Sequence, residues 1–234
     1  MCSESMAGEI KRPRSPAESE AVPTQRVFLL SPARTDGRRA KLVFNPNADF
    51  DIAVRLRSPE GIELGDVFTF LSGLYFRGKL TYARAFAQEL VGVDPILVIT
   101  PERGLVPPDR RVTRADLKRF SRIDIASGDD RYLGPLRRDI DELAGTLPPD
   151  AEAVLLGSIA TGKYVDALLA AFGSRLVFPS EFVGRGDMSR GGLLLRSASD
   201  LKELSYTPVL GAVRRGSRPP KLEPLPRGRR GGTK

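Results

Sequence analysis

The residues with the clearest chemical spacing run from Gly157 to Lys163, where Gly157-Ser158-Ile159-Ala160-Thr161-Gly162-Lys163 fits G-x-x-x-x-G-K. Between a strand and a helix, such a loop aims backbone N–H groups and the positive end of a helix dipole at a phosphate or carboxylate. In nucleotide triphosphatases the next residue is Ser or Thr, whose hydroxyl holds magnesium. Here it is Tyr164, whose phenol sits too far from its own backbone to replace that hydroxyl. The acid expected at the end of a neighbouring strand is also missing. The strand candidate at 175–178 ends in Pro179, and the one at 96–100 is followed by Pro101 before Glu102. Gly157, Ser158, Gly162 and Lys163 therefore read as an anion site without triphosphatase chemistry, or as a plain strand-to-helix turn with Lys163 in water. No metal site and no cofactor is expected.

A second cluster, PSEFVGRGDMSRGGLLLR at 179–196, is dense in glycine and charge and follows a strand candidate. Arg185 and Arg190 could clamp a phosphate or carboxylate, and Asp187 could orient or deprotonate a substrate. The alternative is that Asp187 caps a helix starting near Met188 while the arginines face water. Glu102 is a second acid/base candidate, and Ser31 and Arg34 join the binding set because they too follow a strand. Tyr75 and Tyr82 lie on an apolar stripe and read as core. Arg77 and Lys79 flank Gly78 and read as surface helix charges within reach of the cleft.

These residues need elements to position them. Short apolar runs at 26–31, 96–100, 153–157 and 175–178 read as buried strands, with a further strand-like LVF at 42–44. Helices are expected at 49–57, 113–121, 132–147 and 162–172. The helix at 113–121 opens with a T-x-x-D capping pattern. From Leu64 to Leu90 apolar residues recur at steps of three, four or seven, with a break near Ser72-Gly73. Strands alternating with helices predict an α/β domain, three layers deep, with a mainly parallel sheet and helices on both faces. In such sheets ligands bind beyond the carboxyl ends of the strands. The segments 31–34, 100–105, 157–163 and 179–192 all follow those ends.

Composition narrows the chemistry. The 234 residues include no histidine, which removes the commonest general base and zinc ligand, and one cysteine, Cys2, which rules out an internal disulfide framework. No apolar run approaches the length of a membrane span. With no hydrophobic signal core at the N-terminus, a cytoplasmic location is expected. The net charge of +8 is uneven: residues 1–25 carry −1, residues 26–211 carry +2, and residues 212–234 carry +7. The expected organisation is a disordered leader at 1–25, the α/β domain at 26–211, and a basic Pro/Gly/Arg-rich tail at 212–234. Without aromatic residues, that tail would bind nucleic acid weakly through phosphate contacts, or serve only to keep the chain in solution.

The order LYFRGKLTYARAF at 74–86, ITPERGLVPPD at 99–109 and VLLGSIATGKYVDALL at 154–169 resembles a group of small bacterial α/β domains. That group is related to domains seen beside tRNA-guanine transglycosylases and in archaeosine synthase. Tyr75, Gly104, Leu105, Pro107, Asp109 and Tyr164 stand at the matching places, and the resemblance covers about residues 26–178. One departure is that the family's first strand runs into a Cys-Ser and Lys segment, whereas this chain has Leu30-Ser31-Pro32-Ala33-Arg34. The resemblance implies nucleobase or nucleotide contact. The expected function is binding of a nucleotide, nucleobase or other phosphorylated ligand at the strand ends, with glycosidic-bond or transfer chemistry as an option. The alternative is a non-catalytic nucleic-acid accessory protein acting through its basic tail.

Overall fold

Every position from Val27 to Leu30 is apolar, a run that suits a strand covered on both faces. Those four residues have no exposed surface in the computed structural model, which describes residues 24–126, 128–160, 162–220 and 222. They form β1 (Arg26–Leu30), followed by two short helices, α1 (Arg38–Phe44) and α2 (Asp51–Arg57), and a two-residue strand, β2 (Ile62–Glu63). Next come α3 (Leu64–Ser72), α4 (Leu74–Phe86), β3 (Ile96–Ile99), β4 (Leu105–Val106), β5 (Arg111–Val112), α5 (Arg114–Phe120) and α6 (Asp130–Thr146). The remaining elements are β6 (Glu152–Leu156), α7 (Gly162–Phe172), β7 (Leu176–Pro179), α8 (Asp187–Ser199) and β8 (Tyr206–Pro208).

The main sheet has the order β4-β3-β1-β6-β7-β8. β3, β1, β6 and β7 run parallel, and β4 and β8 close the edges antiparallel. β2 and β5 form a separate antiparallel pair. From β1 the chain moves to β3 on one side, then crosses back to β6 on the other. That reversal makes the β1–β6 boundary a switch point, where connections depart from opposite faces and leave a crevice beyond the strand ends. α4 packs on α8, and α6 on α7. The right-handed crossover rule puts these two pairs on opposite faces, giving an α/β domain of three layers.

The expected strands and most expected helices are present, with two corrections. Residues 42–44 are not a strand but the end of α1, because Ala40 and Val43, three apart, are the buried pair while Leu42 is exposed. The loop expected after β3 contains β4, which returns antiparallel and pairs Val98 with Val106. The capping pattern at Thr113 is realised as a reciprocal box with Asp116. The apolar stripe beginning at Leu64 breaks at Gly73, whose φ of 63° ends α3 and starts α4. α8 starts at Asp187, with Gly186 rather than Asp187 in the cap position. The expected leader at 1–25 falls almost wholly outside the described residues, as do 223–234 of the basic tail.

α4 and α8 cross almost backbone to backbone. A Cβ on Gly78 would sit 2.7 Å from the Gly191 carbonyl oxygen, and one on Gly191 would sit 2.7 Å from that of Leu74. Only glycine allows this approach. Its consequence is that Tyr75 and Lys79 of α4 come close to the first turn of α8, which carries Asp187 and Arg190.

Candidate functional site

At the switch point, Leu30 pairs with Leu156, and the Ser31 N–H donates to the Leu156 carbonyl at 3.2 Å. Ser31 and Gly157 thus leave the sheet side by side. A Cβ on Gly157 would lie 2.9 Å from Ser31 Cβ and 2.8 Å from the Tyr164 hydroxyl, so glycine keeps this floor open. Above it is a cavity of about 360 Å³. Ser31 to Arg34 supply one wall, Ser158, Lys163 and Tyr164 a second, and Ser72, Tyr75 and Asp187 a third. The Tyr164 hydroxyl donates to the Ser158 carbonyl at 3.0 Å and accepts from the Ser158 N–H at 3.1 Å, tying the loop to its helix. Burial raises the Tyr164 phenol, with hydrogen bonding at Ser31 and Ser158 opposing that effect.

Behind Ser31 lies Lys79, only 1% exposed. Its Nζ donates to the Ser31 carbonyl at 2.5 Å and to Ser31 Oγ at 2.9 Å. It also lies 4.7 Å from the ring centroids of both Tyr75 and Phe76. No carboxylate forms an ion pair with it among the described residues. Burial pushes its pKa down to about 7; the Asp187 charge opposes that fall and the Arg190 charge adds to it. The Tyr75 hydroxyl is buried without a partner in hydrogen-bonding geometry. Burial raises that phenol, although the nearby Arg190 guanidinium pulls it downward.

Lys79 was expected on the surface, and its burial is a correction. It follows Tyr75 by four residues and precedes Tyr82 by three, so helical spacing sets it on the same inward stripe. That spacing was the available signal. Tyr75 and Tyr82 are core residues as expected, and Tyr82 shares a 2.6 Å hydrogen bond with the Tyr206 hydroxyl.

The cavity gathers Ser31, Arg34, Ser158, Lys163 and Asp187 from three segments distant in sequence. Arg34 is exposed and pairs with Asp36 at 3.2 Å. Gly162 lines an adjacent hollow with Asp166 rather than this one. Asp187 stands on one wall with 71% of its side chain exposed. Arg190 is turned away: its guanidinium donates to the Phe182 carbonyl at 3.1 and 3.2 Å, stacks on the Phe182 ring, and stays 3.8 Å from Asp187. Arg185 is also elsewhere. It donates to the Glu181 carbonyl at 2.9 Å and to Ser189 Oγ at 3.2 Å, beside residues 218–220 and 222. Glu102 is bound by Arg119 at 2.9 Å, in a network where Arg103 and Arg119 both reach Asp116.

Among the described residues, no group of three or more His, Cys, Asp or Glu side chains could hold a metal ion. No described helix is long and apolar enough to cross a membrane. Comparison with protein-family models, curated proteins and solved structures finds no match to this chain.

Proposed function

We propose that the cavity beyond β1 and β6 binds a small phosphorylated or nucleotide-like ligand. The observation that carries the reading is the convergence of residues 31–34 with Ser158, Lys163, Tyr164 and Asp187 on one cavity at the switch point of a parallel sheet. Its volume falls in the range of small-molecule sites. Arg34 and Lys163 supply positive charge at the walls, while Ser31 and Ser158 supply neutral hydrogen-bonding groups. Of the two carboxylates expected as acid/base groups, Asp187 is the one on the cavity wall. Magnesium has little part in this binding, because Tyr164 stands where a triphosphatase places its metal-holding hydroxyl.

Calorimetric titration against mononucleotides and inorganic phosphate, with and without magnesium, tests this. Removing a hydrogen bond to a charged group costs about 1.5–3 kcal/mol. Lys163→Ala should therefore weaken binding about 10- to 150-fold, while Arg185→Ala, outside the cavity, should leave it unchanged. Binding that requires magnesium, or that survives Lys163→Ala and Arg34→Ala together, overturns the reading.

A further inference from the structure

We infer that Ser31 and Lys79 are a nucleophile–base pair, and that the cavity carries out acyl transfer on an ester or amide substrate. The first observation is the 2.9 Å approach of a buried amine to a serine hydroxyl on a cavity wall. A base within hydrogen-bond reach of its nucleophile is the geometric requirement for activating one. The second is the setting of that amine. Lys79 is enclosed by the Tyr75 and Phe76 rings and forms no ion pair among the described residues, so burial disfavours its charge and favours a free lone pair. The groups that face it are Ser31, the residue that follows β1, Tyr75 from its own helix, and Asp187 and Arg190 from α8. The third is Tyr75 on the wall of the same cavity, whose buried hydroxyl no described group holds in hydrogen-bonding geometry although the Arg190 guanidinium lies near it.

The step balances without a further reactant. The neutral Lys79 amine keeps one N–H on the Ser31 carbonyl and takes the Ser31 hydroxyl proton as Oγ bonds to the substrate carbonyl carbon. The carbonyl π pair moves to oxygen, where a neutral donor such as the Tyr75 hydroxyl suits the oxyanion. The carbonyl then re-forms as the bond to the leaving oxygen or nitrogen breaks, and the Lys79 ammonium protonates the departing group. Water, deprotonated by Lys79, displaces Ser31 Oγ, which recovers a proton from Lys79. A carbonyl centre fits better than a phosphoryl centre, because the groups beside Ser31 Oγ are the Lys79 amine and the Tyr164 phenol. Phosphoryl transfer would need cations at the reacting atom, and here Arg34 is paired with Asp36 and Lys163 lies on the wall that α7 supplies. This inference uses the same cavity as the proposed ligand site but does not depend on the ligand's charge.

A fluorophosphonate probe, which reacts with activated serine hydroxyls, reads the pair directly, with peptide mapping by mass spectrometry. Wild type should carry one adduct, on Ser31. Ser31→Ala should lose it, and Lys79→Met should slow labelling at least 100-fold, with folding checked by thermal melting. If Lys79→Met does not fold, Ser31→Cys in a Cys2→Ser background decides the matter. Its iodoacetamide alkylation should reach half-maximal rate below pH 8, against about 8.5 for an ordinary thiol. A merely structural Lys79 tether would not accelerate labelling. Folded wild type that is unlabelled, an adduct elsewhere, wild-type labelling of Lys79→Met, or an ordinary thiol profile overturns the inference. Ser31 labelling without anion binding would overturn the phosphorylated-ligand reading alone, and anion binding without labelling would overturn the pair alone.

Discussion

Replacing Lys79 by methionine should remove a pH dependence of stability with a particular sign. In the unfolded chain the ammonium titrates near its ordinary value of 10.5, whereas in the folded protein burial lowers it to about 7. Between those two values the unfolded state binds more protons, so stability rises with pH. The cost of the buried charge is absent above about 10.5 and fully present below about 7. Each unit between the two values is worth about 1.4 kcal/mol, so the complete linkage is roughly 4–5 kcal/mol. Over the workable window from about pH 7.5 to 9.5, wild type should gain roughly 2 kcal/mol relative to Lys79→Met. Methionine keeps an unbranched apolar stem against Tyr75 and Phe76, and its lost hydrogen bonds to Ser31 shift the difference by a nearly constant amount. Urea unfolding of both proteins at several pH values supplies the measurement, and subtracting the two curves cancels the other titrating groups. Parallel curves, or a wild type that loses ground as pH rises, would refute the claim that a lysine charge is buried here uncompensated.

Gly78→Ala and Gly191→Ala should each destabilise the fold by about 1–3 kcal/mol through overpacking of the α4–α8 crossing. Because the two positions touch, the double variant should cost less than the sum, a non-additivity that a urea-based double-mutant cycle reads. Asp116→Asn should cost about 1–3 kcal/mol at neutral pH, since the carboxylate completes the Thr113 cap and receives Arg103 and Arg119. Burial works against that charge, but the Thr113 hydrogen bonds and the two arginines hold the Asp116 pKa below its ordinary value. The wild-type advantage should therefore be present above about pH 4 and shrink as pH falls further, which acid unfolding of the two proteins checks.

The fold was legible where side-chain pattern and backbone demand coincide. Val27 to Leu30 and Val154 to Leu156 are uninterrupted apolar runs, and a parallel sheet covered on both faces is the arrangement that buries them. The cap at Thr113 was readable because its chemistry is local, three residues apart. The two-residue strands were not, since β4 exists only through its pairing with β3 and carries no period of its own. Of the residues that strand-end logic proposes, Ser31, Arg34, Ser158, Lys163 and Asp187 line one cavity. The roles of Arg185 and Arg190 were hidden because an arginine near a strand end can turn to a backbone carbonyl as readily as to a ligand, and Phe182 and Glu181 provide those carbonyls. Lys79 was hidden by its charge: a lysine on an apolar stripe reads as snorkelling outward, whereas here it turns inward to Ser31 between the Tyr75 and Phe76 rings.

The most direct test of the cavity as the ligand site is a backbone amide NMR titration of the full chain with a mononucleotide. Saturable shifts should cluster at residues 31–34, 72–75, 158–164 and 187, reduced by Lys163→Ala and unaffected by Arg185→Ala. Shifts confined to residues 212–222 or to the neighbourhood of Glu102, or none that saturate, would contradict it.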